Sequence, residues 1–201
     1  MVQNSDDTPR RRGRPRSFDP GEVLGAAGER FRTHGYAGTS LDDLVDATGL
    51  QRPSLYAAFG DKRAIYLATL DRTIERAARG FDRLIAADLP LRESLDRMFR
   101  TVIDGYLTGE AGPSGCIMVS TSATSAVDDA EVRARLAVFL KMEDDKIEQL
   151  LAARGDPRAR AHARLATATI HSLSVRARAG ASRDELDALA ADCVAMIAGK
   201  G

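Results

Sequence analysis

The sequence carries little with which to staple itself, hold a metal or cross a membrane. Its 201 residues include only two cysteines, Cys116 and Cys193. That is too few for a disulfide framework, and no CxxC pair occurs, so a secreted disulfide scaffold and a thiolate metal knuckle are both excluded. The three histidines, His34, His162 and His171, are scattered; the last two are nine residues apart, where a helical metal pair needs three or four. No glycine-rich phosphate loop follows a strand, and no Gly-x-Ser-x-Gly elbow occurs. The expectation is therefore no catalytic constellation, no metal, no cofactor, and not an enzyme. The longest charge-free run, 111–127, is rich in Gly, Pro, Ser and Thr, which makes it a poor membrane span. Residues 1–9 are polar and lack the apolar centre of a signal peptide. A cytoplasmic protein with no membrane partner is expected. Excess charge of one sign is also missing: Lys+Arg and Asp+Glu are 29 each.

That balance conceals a local asymmetry. Arg10, Arg11, Arg12, Arg14 and Arg16 place five positive charges within seven residues. Residues 1–17 have almost no apolar content and read as a disordered basic arm. From Phe18 onward the apolar residues recur at helical spacing and no convincing alternating strand appears, so the fold class is all-α with about nine helices. Asp19 caps the first helix ahead of Pro20, and Gly35 ends it. A second helix starts at Thr39-Ser40 and stops at Gly49. A third, with Pro53 in its first turn, ends at Gly60, and Asp61 caps a long fourth. Residues 116–119 are four apolar residues in a row, compatible with strand or buried helix.

Three short helices with a glycine between the second and third suggest a helix-turn-helix. The close crossing needs a residue free to take positive φ, and Gly49 supplies it. Leu44, Leu50 and Leu55 stand where the helices touch. Gln51, Arg52 and Ser54 then occupy exposed positions of the third helix, as polar groups able to reach base edges. An adaptor binding only protein would leave those three without purpose.

The stretch Thr39-Ser40-Leu41-Asp42-Asp43-Leu44, followed by Gly49-Leu50-Gln51-Arg52-Pro53-Ser54-Leu55-Tyr56-Ala57-Ala58-Phe59-Gly60-Asp61-Lys62, resembles the DNA-binding module of tetracycline-repressor-like (TetR-type) transcriptional regulators. The resemblance implies a basic arm at 1–17, a helix-turn-helix domain at 18–63 and a larger helical ligand-binding and dimerisation domain at 64–201. It implies that Gln51, Arg52, Pro53 and Ser54 enter the major groove, with Arg52 suited to guanine and Gln51 to adenine. Tyr56, Thr39, Ser40 and Lys62 would meet the phosphate backbone, and Arg14 and Arg16 of the arm the phosphates or minor groove. The partners implied are a near-palindromic double-stranded DNA operator, a second copy of the chain as homodimer, and a small-molecule effector that releases a repressor from DNA.

For the remaining helices the residues offer candidates. Phe81, Met98, Phe99, Tyr106, Cys116, Met118, Phe139 and Met142 could wall a pocket, and with few polar groups among them the effector is expected to be small and mostly apolar. Cys116 stands at a possible helix N-terminus, which would lower its pKa and allow a redox- or electrophile-sensing alternative. Cys193 falls on an apolar stripe and reads as packing. Twelve alanines between 161 and 198 suit a close helix-pair dimer interface, with Leu165, Leu173, Leu186, Leu189, Ala190 and Val194 as its candidates.

Overall fold

The computed structural model describes residues 18–109 and 112–199. Among these residues the chain forms nine α-helices, one π-helical turn and no strand. Helix α1 (Pro20–Gly38) starts where the Asp19 carboxylate accepts the Gly21 N–H at 2.7 Å, with Pro20 in the first turn. Helices α2 (Leu41–Thr48) and α3 (Arg52–Phe59) are eight residues each. Gly49 between them has φ 67° and ψ 5°. A β-carbon disfavours that left-handed conformation, so this tight turn selects glycine. Asp61 then accepts the Ala64 N–H at 2.8 Å and opens α4 (Lys62–Ala86). Then follow α5 (Leu91–Leu107), the π turn (Met118–Ser122), α6 (Ala123–Ser125), α7 (Ala130–Ala153), α8 (Ala159–Arg178) and α9 (Arg183–Ala198). The ambiguous apolar run at 116–119 thus leads into a π turn.

Two apolar cores organise these helices. The first joins Val23, Ala27 and Phe31 of α1 to Leu44, Leu55 and the α4 residues Ile65, Tyr66, Leu67 and Leu70; Met118, Val132 and Phe139 also pack into it. The second joins Phe81 and Leu84, further along α4, to α5, α7, α8 and α9. Helix α4 therefore belongs to both cores. The apolar stripe of α4 completes the helix-turn-helix core and then continues into the second.

Candidate functional site

An eight-residue helix is too short to stabilise itself in water. Helix α3 is anchored by a single buried side chain, Leu55, only 1% exposed, with Leu41, Leu50 and Phe59 packed partly against the same core. Everything else at its start points outward: Gln51, Arg52, Pro53 and Ser54 are all exposed, and Gln51 makes no side-chain cap. Tyr56 lies four residues after Arg52, on the same face, and is 39% exposed. Lys62 begins α4 with its Nζ 4.5 Å above the Tyr36 ring. That ring packs in turn against Phe31 and Tyr66, with centroid distances of 6.2 and 4.9 Å. The cation–π contact holds the ammonium at a helix N-terminus, where a phosphate is favourably received.

Arg52 is not free. Its Nη2 lies 2.6 Å from Asp42 Oδ1 on α2, and that carboxylate raises the guanidinium pKa above its ordinary value. Both groups are open to water, so the pair is weak and exchangeable. A guanine edge offers the same fork two acceptors. Asp42 is a functional candidate that the linear pattern did not single out, since nothing in the spacing shows which acid of α2 faces α3. Tyr36 was missed for a similar reason: it lies beyond the break in α1, and its platform forms only on folding.

Two expected backbone contacts are placed differently. Thr39 is 1% exposed, and its hydroxyl donates to the Gly35 carbonyl at 2.7 Å. Its side chain closes the α1 break and is not presented to DNA. Ser40 is exposed but serves as the cap of α2. Its Oγ accepts the Asp43 N–H at 3.1 Å; its Oγ and its backbone N–H donate to Asp43 Oδ2 at 2.6 and 2.7 Å, and these two bonds onto the carboxylate hold it below its usual range. Arg14 and Arg16 lie outside the described residues.

The eight pocket candidates do not share one wall. Phe81, Met98, Phe99 and Tyr106 belong to the second core, Met118, Phe139 and Cys116 to the first, and Met142 touches both. Phe81, Met98, Phe99, Met118 and Phe139 are buried packing residues. At the seam lies a buried polar group. Glu143, 4% exposed, bonds His171 Nε2 at 2.8 Å. Burial pushes the Glu143 carboxyl up while His171 pulls it down. Burial raises Tyr106 well above a normal phenol, with Cys116 and Glu143 adding to the shift. Cys116 is pushed up to about 11, first by burial and then by Glu143. The lowered thiol pKa expected there is reversed: at neutral pH Cys116 is a protonated thiol, which weakens the redox alternative. Cys193 is buried, as expected of a packing residue.

The interface candidates divide between buried and exposed positions. Leu173, Leu186, Ala190 and Val194 are buried within their own chain, so they bind α8 and α9 to their own core and cannot face a partner. Leu165 and Leu189 are partly exposed. The uncovered apolar residues are others: Ala161, Ala168 and Val175 on α8, and Ala188, Ala191 and Met196 on α9. Among the described residues no group of three or more His, Cys, Asp or Glu is arranged for a metal, and no helix is long and apolar enough to cross a membrane.

A helix-turn-helix head with an outward polar face, mounted on a helical body, defines a DNA-binding transcriptional regulator. Comparison with known proteins agrees. Residues 23–69 match the model of bacterial regulatory proteins of the tetR family. The HTH-type transcriptional repressor ComR of Escherichia coli (strain K12) is 33% identical over 183 residues, 87% of each chain. The repressor BdcR of the same organism is 27% identical over 179 residues, 89% of each chain. A cysteine-substituted CifR, a TetR family regulator in complex with 26-base-pair operator DNA, superposes with a TM-score of 0.69 at 26% identity. That match covers 90% of this chain and 98% of that one. The chain belongs to the TetR family of transcriptional regulators, whose members are not enzymes.

Proposed function

We propose that this regulator is a repressor that binds a near-palindromic operator as a homodimer and is released by a small, mostly apolar effector. The observation that carries the DNA reading is the exposed row Gln51, Arg52, Pro53 and Ser54 on a helix whose only buried side chain is Leu55. Such a helix presents polar groups to a groove and contributes little else. Arg52 and Gln51 read bases, while Tyr56 and Lys62 hold phosphates. Two copies joined through the uncovered faces of α8 and α9 would set two reading helices about one DNA turn apart. Repression is supported by the names of ComR and BdcR. Between the two cores, the seam with Tyr106, Glu143 and His171 offers polar anchors amid apolar walls, which is the composition a small-molecule site needs. The test is a mobility shift on DNA flanking the chain's own gene. A shift at low salt is expected, and no shift by a folded dimer would refute the reading.

A further inference from the structure

Helix α1 is interrupted at Gly35, whose φ of 72° and ψ of 173° are not helical. A break removes the amide donors that would close the preceding turn, so carbonyls there need partners from elsewhere. Helix α8 supplies them. Arg178 Nη1 donates to the Arg32 carbonyl at 2.7 Å and Nη2 to the Thr33 carbonyl at 3.1 Å, and Nη1 also reaches the Ser114 carbonyl at 3.3 Å. Arg32 reaches the opposite way. Its guanidinium donates to the carbonyls of Gly105, Thr108 and Gly115 at 3.0, 2.8 and 3.2 Å, while Glu29 holds it at 2.7 Å. Two arginines, one from α1 and one from α8, thus cross-tie the break to the body. Thr39 closes its other side through the Gly35 carbonyl, and Ser40 starts α2 immediately afterwards. The direction in which α2 and then α3 leave α1 is set at this knot.

The knot is wired inward as well. His171, Ser174 and Arg178 are spaced three and four apart on α8, hence on one face. Ser174 Oγ accepts the Cys116 N–H at 2.8 Å, and His171 bonds the buried Glu143. One polar stripe therefore runs from the seam between the cores to the α1 break.

We propose that Arg178 and Arg32 are positioning residues for DNA binding: they fix the angle of the reading head on the body, and so the half-site spacing that a dimer accepts. The proposal rests on the reading of the chain as a dimeric DNA-binding regulator. Stiffly held heads fit one spacing, and loosened heads fit several. Neither arginine lies on the α3 face.

The experiment uses the full chain and an operator selected by the wild type from randomised duplexes. It compares that operator with versions whose centre is lengthened or shortened by one base pair, and with a single half-site. Wild type should discriminate sharply against altered spacing. Arg178→Ala and Arg32→Ala should lower that discrimination by about fivefold or more, within the usual range of coupling between sites, with half-site affinity and helical content unchanged. Arg178→Lys keeps the charge but cannot fork onto two carbonyls. It should recover only part of the discrimination, and it serves as the folded variant should the alanine variant unfold. Wild-type spacing preference in the variants, or equal loss on half-site and full operator, would overturn the proposal. Failure of the wild type to select any duplex would instead sink the DNA-binding reading, and the proposal with it.

Discussion

Leu55→Ala should release the reading helix from the rest of the chain. Leu55 is the one buried residue of α3 and only 1% exposed. Removing three side-chain carbons costs about 0.8 kcal/mol each in transfer, and the cavity left behind brings the total to about 3 kcal/mol. Nothing within α3 can absorb this. The helix has eight residues and no side-chain cap on Gln51, and in isolation it would not form. The second core, around Phe99, Ile147 and Leu173, is untouched. The loss should therefore appear as undocking of α3 more than as global unfolding. At about 1.4 kcal/mol per tenfold, operator affinity should fall by about a hundredfold. Fluorescence anisotropy on labelled operator would measure the affinity. Hydrogen exchange across residues 51–60 would report the undocking, and urea unfolding followed by circular dichroism the body. Operator affinity within threefold of wild type would refute the reasoning, since α3 would then be held by something other than Leu55.

Other expectations follow from the seam and the outer faces. Cys116, pushed up to about 11 by burial and Glu143, should alkylate at neutral pH about a hundredfold more slowly than an ordinary thiol; an iodoacetamide rate profile with a midpoint below pH 8 would contradict this. Glu143 has its carboxyl raised by burial from an ordinary 4.5, so the native chain binds more protons than the unfolded chain just above that value, and stability falls as pH rises through the window. Glu143→Gln should flatten that fall in urea midpoints, and an unchanged slope would remove Glu143 as its source. Val175, 54% exposed on α8, should tolerate Glu in the monomer, but an unpaired carboxylate buried in an apolar interface costs several kcal/mol. Val175→Glu should weaken the dimer by at least about a hundredfold in analytical ultracentrifugation, and an intact dimer would move the interface elsewhere.

How far the sequence could be read depended on how local each signal was. Asp19, Gly49, Leu55 and Asp61 were legible because a cap, a positive-φ turn or an apolar anchor is set by neighbours within a turn or two. Thr39 was not, because its hydroxyl answers a carbonyl freed by the break at Gly35, and hydropathy does not register such a bond. Cys116 is not legible because its shift comes first from burial by the tertiary packing and then from Glu143, twenty-seven residues on in α7, and local sequence registers neither. On α9 apolar residues lie both inside, as Leu186 and Val194, and outside, as Ala188 and Ala191. Periodicity alone could not say which row faces its own chain.

We infer that α3 reads base identity through Arg52, whose guanidinium lies 2.6 Å from Asp42 in the free protein. The direct measurement is a comparison of wild type, Arg52→Ala and Lys62→Ala across an operator library in which each half-site base is varied. Arg52→Ala should lose preference at one symmetric pair of positions, by about 1–3 kcal/mol of discrimination. Lys62→Ala should weaken binding to all sequences alike. An Arg52→Ala base profile identical to that of the wild type would contradict the account.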